Sequence, residues 1–512
     1  MFRFTKPISL ASFIFISLSN NAIAKTEIET EQTTLPTVDY VRTVEGVQEY
    51  QLDNGLKVLF YQDQAESRTL INLTYKVGSV HESYGESGMA HLLEHLLFKG
   101  SINYPDYNGE TTRRGIWSNA STWNDRTNYF ARFEANEDNL AWYLSMEADR
   151  VYQATFSAND LTSEMTVVRN EMERGQNNPI SILGSRMAAT AFHWHNYSNP
   201  TIGLRDNLEK MPFHKLRAFY QTHYRPDNAV LVISGRFDLN KTLKQVANTF
   251  GKLKKQPQPI SPLYTEEPIQ DGERLITLRT QGNVPAVGVR YHTPAALHQD
   301  SPALQVLMSV ITNKSSGRLQ KNFIETGLAS KTSGGASIFN APSTTGVVVN
   351  GFKNKETTVL ENKLIAYLED FSQHPITEME VRRAKIKLLK GVEKRFLSSL
   401  NIGYGLTEYI AMGDYRYMFY HRDLLEQVSV ADVQLVAEYY FKRSNRTVGR
   451  FIPTEQPERV IISAPVDLDV KLADYTGRAP VESGEIFDNT VANLQSRVQQ
   501  LQWENGAHLS VY

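Results

Sequence analysis

The chain has 512 residues, 41% apolar and 21% charged, with 54 Lys and Arg against 56 Asp and Glu for a formal net charge of −2. That length holds about three domains of roughly 100–200 residues, and the composition excludes a disordered, collagen-like or polytopic membrane chain. With no global positive field, nucleic acid is a poor partner, and with no cysteine there are no disulfides, thiolate nucleophiles or cysteine metal sites.

The first element in chain order is an export signal. Arg3 and Lys6 precede an apolar run from Ile8 to Leu18, then polar Ser19, Asn20 and Asn21 and the small-residue stretch Ala22-Ile23-Ala24. This is the order of a secretory signal peptide over residues 1–24, cleaved after Ala24. An apolar run of about 11 residues is too short for a bilayer, which takes about 20. No cysteine stands near the cleavage point to carry a bacterial lipid anchor. The mature chain is therefore expected without a membrane span, in the periplasm, exported across a bacterial inner membrane. Residues 25–41 are polar and aperiodic and read as a flexible lead-in.

An internal repeat organises the rest of the chain. Val47 to Tyr61 carries two β-type runs around the Asn54-Gly55 turn, and Val498 to Tyr512 carries the same pattern around Asn505-Gly506, 451 positions later. Between them, strand Leu70–Tyr75 leading to a helix from Ser87 to Phe98 matches strand Ala286–Tyr291 leading to a helix from Ser301 to Ile311, an offset of 216 between Tyr75 and Tyr291. Basic, Pro-rich residues 253–272 and Pro-, Gly- and acid-rich residues 466–489 read as linkers. The expected organisation is a domain over 42–252, a homologous domain over 273–465 and the opening of a third over 490–512. Strands such as Ala229–Gly235 alternate with long helical patterns over Glu137–Gln153 and Thr357–Phe371 without regular βαβ spacing. This predicts an α+β fold of tandem homologous domains, each a mostly antiparallel sheet with helices packed on one face.

The chemistry lies in the first repeat. His91-Leu92-Leu93-Glu94-His95 sits in a helical apolar run, so positions i, i+3 and i+4 bring both imidazoles and the carboxylate to one face. Two neutral histidines one turn apart suit zinc, and Glu94 can take a proton from a metal-bound water. The order is the reverse of His-Glu-x-x-His and belongs to the inverted zincins. A catalytic zinc site takes a third protein ligand, which without cysteine must be His, Asp or Glu. On the helical stretch from Ser163 to Glu173, Glu164, Val167, Val168 and Glu171 share a face, with both valines expected to be buried. Periodicity does not choose among Glu164, Glu171 and Glu173, and His193 and His195 stand as rival ligands.

With its spacing, the pattern resembles the pitrilysin/insulinase family of inverted-zincin metallopeptidases. There, His-x-x-Glu-His is followed about 75 residues later by a ligand Glu, with another Glu seven positions before it. Glu171 lies 76 positions after His95 and seven after Glu164. Asn119-Ala120-Ser121-Thr122 with Asp125, Thr127 and Tyr129, the stretches His195–Tyr197 and Pro200–Gly203, and Tyr224–Leu231 also match the family. The similarity spans about residues 42–465.

The resemblance implies a zinc endopeptidase with one zinc ion per chain held by His91, His95 and Glu171. Glu94 is the implied general base, and Glu164 a carboxylate orienting a ligand histidine. Asn119, Ala120, Ser121 and Thr122 would form an edge strand onto which substrate adds, favouring short or unfolded peptides. The second repeat departs from the active pattern: the stretch Ser301–Ile311 offers neither His nor Glu. Where the family carries an Arg and a Tyr seven apart to bind substrate and stabilise the oxyanion, this chain has Phe323 and Ser330. The missing pair is expected from a partner subunit or a C-terminal half, so that the chain reads as the N-terminal part of one roughly twice as long. The alternative from another class is a non-catalytic scaffold or peptide-binding member with the same fold.

Overall fold

The computed structural model describes residues 37–511; the expected signal peptide and residues 25–36 of the lead-in lie outside the described residues. Two compact units divide the chain at Pro457.

In the first repeat, strands β1 (Val38–Val44), β2 (Val47–Leu52), β3 (Lys57–Gln62) and β4 (Arg68–Tyr75) lead to helices α1 (Met89–Leu96) and α2 (Tyr107–Arg113). The hairpin β5 (Trp117–Thr122) and β6 (Thr127–Glu134) comes next, then α3 (Glu137–Gln153), α4 (Ala158–Gln176) and α5 (Pro179–Ala191). Helices α6 (Arg205–Glu209) and α7 (Phe213–His223), strand β7 (Ala229–Gly235) and α8 (Leu239–Asn248) complete it. The seven strands form one sheet in the order β1-β2-β3-β7-β4-β6-β5, antiparallel throughout except for β3 against β7. The Asn54-Gly55 turn between β2 and β3 is made as expected. Gly55 takes φ 93°, a left-handed value open to glycine, and Asn54 Nδ2 ties the turn to Phe250 O at 2.7 Å and Leu253 O at 2.9 Å.

The second repeat runs β8 (Arg274–Thr280), β9 (Ala286–Thr293), α9 (Ser301–Thr312), β10 (Lys331–Gly335), β11 (Ser343–Asn350), α10 (Thr357–Glu369) and α11 (Glu378–Phe396). It closes with α12 (Ser399–Ala411), α13 (Tyr417–Gln427), α14 (Val430–Tyr440) and β12 (Arg446–Pro453). Its sheet has the order β10-β11-β9-β12-β8, with β12 and β8 the parallel pair. Reversed, this is the order β3-β7-β4-β6-β5 of the first sheet, so the two repeats share one topology and β5 and β10 are equivalent edges.

Each repeat packs its own helices on one face of its sheet. Ile71, Leu73, Leu231 and Ile233 point into a core with Leu92 and Leu93 of α1 and Tyr143 and Leu144 of α3. The alternate residues Val230 and Val232 point the other way, where α12 of the second repeat lays Ile402, Leu406 and Ile410 against them. Those three positions, four apart, form one helical stripe, and each buried aliphatic side chain contributes roughly 2 kcal/mol. The exchange is reciprocal. Helix α5 of the first repeat packs Leu183 and Met187 on Leu278, Ala286 and Phe451 of the second sheet. The one-faced covering expected from the sequence thus describes each repeat's own helices, and the second face is covered by the other repeat.

Two stretches differ from expectation. Strand β1 begins at Val38, inside the expected lead-in, because Val38 packs on the first core and the strand pairs along its length with β2. Between Val38 and the half-buried Val44 its side chains are exposed, which is why no alternation marks it. In the second unit, Glu458–Tyr512, helix α15 (Leu468–Leu472) falls within the expected linker 466–489. That helix is capped by the Asp467 side chain on the amide of Asp469. Helix α16 (Val491–Arg497) and the hairpin β13 (Gln499–Gln502) and β14 (His508–Val511) complete the unit. Among the described residues no helix is long and apolar enough to cross a membrane.

Candidate metal centre

Helix α1 turns Met89, Ala90, Leu92, Leu93 and Leu96 into the core, and His91, Glu94 and His95 lie on the opposite stripe, Glu94 buried there as well. Its start is fixed from upstream. Glu82, buried, accepts from Gly88 N and Ala90 N, each at 2.9 Å, and so satisfies amides that a helix leaves free at its N-terminus. Gly88 has φ 93°, and a Cβ there would lie 2.7 Å from Leu208 and 2.9 Å from Ile202 O. The sequence holds no signal for Glu82, because it stands too far upstream of the helix for a capping box.

Helix α4 brings the carboxylates. Ser157 and Asp160 form its capping box, and the buried stripe that docks it is Leu161, Val168 and Met172. The expectation of two buried valines is half right: Val168 is fully buried, but Val167 is 47% exposed. The stripe continues from Val168 to Met172, four positions on, and that turns Val167 outward.

The side chains converge as the spacing requires. Glu171 Oε2 lies 3.7 Å from His91 Nε2 and 3.7 Å from His95 Nε2. The three donor atoms fall within 4.8 Å of one another, the one such group among the described residues. Ligands about 2.0–2.1 Å from a common zinc ion stand at comparable separations, so the set fits a tetrahedral ion with one position open. Burial and the neighbouring His95 hold the His91 imidazole down at about 4, in the neutral form that ligates metals. Glu164 Oε2 sits 3.4 Å from His95 Nδ1, and its other oxygen accepts from Lys99 Nζ at 2.6 Å. Lys99, four residues beyond His95, is a site residue that the sequence reading misses; the i+4 spacing on the same helical face is the signal it carries. Glu173 faces away toward Arg205 at 3.8 Å. The rival histidines lie elsewhere: His193 Nδ1 is 3.4 Å from Arg274 Nη2, and His195 Nδ1 accepts from Tyr197 N at 3.3 Å.

Glu94 is buried beside this group, and Thr122 Oγ1 donates to its Oε2 at 2.5 Å. Burial raises the carboxyl, Glu171 raises it further, and the Thr122 hydrogen bond and His95 pull it down. A carboxylate held in this balance is suited to accept and return a proton. Asn119, Ala120, Ser121 and Thr122 lie on β5, the edge of the sheet, and line the same cavity of about 570 Å³ as His91, Glu94, His95, Glu164 and Glu171. A larger cavity of about 810 Å³ is lined from α3 and α8 and holds no histidine.

Residues 57–204 match the family model described as Insulinase (Peptidase family M16), and residues 210–388 match Peptidase M16 inactive domain. The chain belongs to the insulinase family of peptidases. Over 404 residues it is 29% identical to the Zinc protease PqqE of Helicobacter pylori, covering 77% of this chain and 90% of that protein. The crystal structure of a protease from Helicobacter pylori superposes with a TM-score of 0.74 at 28% identity, over 82% of this chain and all of that one. The first half of the periplasmic protease PqqL from Escherichia coli shares the fold, with a TM-score of 0.66 at 19% identity, over 81% of this chain and 94% of that one.

The second repeat of this insulinase-family chain is built differently at the equivalent places. Helix α9 buries Ser301 through Ile311 and carries no ionisable side chain. Phe323 is buried in the second core, and Ser330 Oγ donates to Gly351 O at 2.7 Å. Neither offers a cationic or phenolic group to a peptide.

Proposed function

We propose that the chain is a zinc-dependent endopeptidase acting on short or unfolded peptides in the periplasm. The observation that carries this reading is the meeting of His91, His95 and Glu171 beside Glu94, along an edge strand. His91, His95 and Glu171 would hold one zinc ion, and Glu164 would orient the His95 imidazole through its Nδ1. When bound, the ion supplies Lewis acidity for a water and for the scissile carbonyl. Glu94 takes the proton of the attacking water and returns it to the leaving amine. Strand β5 receives the peptide as a further strand through main-chain hydrogen bonds, which give affinity with loose sequence preference. Ala120 N is at present satisfied by Asn119 Oδ1 at 2.9 Å, so the incoming peptide displaces a side chain of the strand it joins.

The Arg and Tyr that Phe323 and Ser330 replace would be supplied by a partner subunit or a C-terminal half. The likeness to a periplasmic protease supports the periplasmic location. Without that pair, the isolated chain would bind peptide and metal but turn over slowly.

The test is metal content beside hydrolysis. The purified chain should hold one zinc ion, and Glu94→Gln should keep that ion while losing about 10²–10⁴-fold in peptide hydrolysis. Undiminished turnover by Glu94→Gln would overturn the mechanism.

A further inference from the structure

The turn joining β5 to β6 is gripped from the second repeat at two adjacent residues. Asp125 accepts from Asn340 N at 3.1 Å on one oxygen and from the Tyr197 hydroxyl at 2.6 Å on the other. That hydroxyl in turn accepts from Ala341 N at 3.1 Å. Arg126 reaches the other way. Its Nε and Nη2 donate to Glu408 Oε1 on α12 at 3.2 and 2.5 Å. Its Nη1 donates to Ser121 O, Ser121 Oγ and Asn128 Oδ1, each at 2.9 Å. The chain of bonds continues through the sheet. Asn128 Nδ2 donates to Asn72 Oδ1 at 2.9 Å, and Asn72 Nδ2 donates to Thr407 Oγ1 at 2.5 Å.

We propose that Asp125 and Arg126 are positioning residues through which the metal-free repeat sets the geometry of the substrate-binding edge strand, with Asn340, Thr407 and Glu408 as its points of attachment. An edge strand has a neighbour on one side only, so β5 is the strand of this sheet most free to twist or fray. Its register to a bound peptide nonetheless has to bring the scissile bond to Glu94, and misplacement of about 1 Å costs catalysis heavily. Arg126 satisfies Ser121 at both its carbonyl and its hydroxyl, and the guanidinium is itself fixed by a carboxylate from α12. The buried members of this network, Arg126, Asn128, Asn72 and Thr407, are all paired, and such a network holds one arrangement against its alternatives. This gives the second repeat a role that α9, with no ionisable side chain, does not supply.

The turn is also held within the first repeat, since Ser79 N donates to Trp123 O and Val80 N to Asn124 O. Removing the attachment on α12 therefore loosens the strand without unfolding the repeat. The Glu408 side chain is half exposed, so its replacement leaves no cavity.

The proposal rests on β5 being the peptide-binding strand, and the experiment separates the two. Hydrogen exchange and peptide kinetics are measured on the full chain as wild type, Glu408→Ala and Glu408→Gln, each loaded with zinc. In Glu408→Ala the amides of Trp117–Thr122 should exchange about tenfold faster, the loss expected for one charge-assisted hydrogen bond. Those of α1 and β4 should be unchanged, as should zinc content. KM should rise about tenfold with kcat within twofold, because a peptide paired on β5 restores the strand's register once bound, and Glu408→Gln, which keeps an acceptor for Arg126, should recover most of both effects. Unchanged exchange in β5, or an equal rise in α1, would overturn the proposal, as would faster exchange in β5 with KM unmoved. A chain that hydrolyses no peptide in any form fails the peptidase reading, while exchange alone still decides the positioning role.

Discussion

Thr122 Oγ1 and Glu94 Oε2 are 2.5 Å apart, so the strand that would carry the peptide is bonded directly to the carboxylate that would serve as base. The two residues are 28 positions apart in sequence and come from the edge of the sheet and the helix beneath it. Any shift of β5 is felt at Glu94, and any rotation of Glu94 loosens the strand.

Thr122→Val keeps the shape and removes the donor. The Glu94 oxygen is buried and loses its hydrogen bond, which costs about 1–3 kcal/mol and frees the carboxylate to rotate away from the water it would activate. We expect kcat for peptide hydrolysis to fall about tenfold with zinc content unchanged. Steady-state kinetics beside metal analysis check this, and loss of zinc together with activity would assign Thr122 to the metal site instead.

His81 and His223 form a second pair of imidazoles, with ring centroids 5.5 Å apart, outside the group of His91, His95 and Glu171. Burial holds His81 down at about 4 and His223 at about 3, with His81 and Arg225 adding to the second shift. The groups facing them are cationic or neutral: His81 Nδ1 accepts from Gly78 N, and His223 packs on Phe219. A base whose folded pKa is depressed binds its proton in the unfolded chain first, so stability falls as pH drops below about 6.5 and continues to fall toward the folded values. Each imidazole should cost about 1–2 kcal/mol between pH 7 and pH 5. Urea unfolding at the two pH values, in wild type and in His223→Leu, measures it. The variant should lose less stability on acidification than the wild type does, and an equal loss would exclude His223 as a source.

His91, Glu94 and His95 are legible in the sequence because a single helical turn brings them to one face. Periodicity does not choose Glu171 among Glu164, Glu171 and Glu173; its family-like spacing from His95 does, and the meeting of the two helices is a tertiary fact. The repeat is legible through strands such as Leu70–Tyr75 and Ala286–Tyr291, whose alternate residues Ile71, Leu73 and Tyr75, and Val287, Val289 and Tyr291, are apolar and buried in the two cores. The exchange of α5 and α12 is not. Pro179–Ala191 and Ser399–Ala411 share a length and a place after a long capped helix, but which sheet each one covers depends on shape complementarity that periodicity does not encode. For the same reason Asp125 reads from sequence only as part of a family-like stretch, while its bond to Asn340, 215 positions away, has no signal. Glu82 escapes because a carboxylate capping a helix from six residues upstream leaves no fixed spacing.

The packing of α12 on the first sheet makes the final prediction, at Gly403. A Cβ there would lie 2.3 Å from Ser234 Oγ and 2.7 Å from Leu70 Cδ2, so the helix approaches the sheet as closely as glycine allows. In a free helix Gly→Ala is favourable by about 1 kcal/mol; here the overpacking costs about 1–3 kcal/mol, and the strands behind Ser234 leave it nowhere to move. Gly403→Ala should therefore destabilise the chain by up to about 2 kcal/mol, the overpacking less the gain in helix propensity. The Ser234 hydroxyl is buried without a hydrogen-bond partner, so Ser234→Ala should cost little alone and should remove the atom nearest the new methyl. The double variant should recover most of the loss, a positive coupling between residues on different repeats. Urea unfolding of the four proteins in that cycle reads it, and additive effects would mean that the clash is relieved by movement of α12 as a whole.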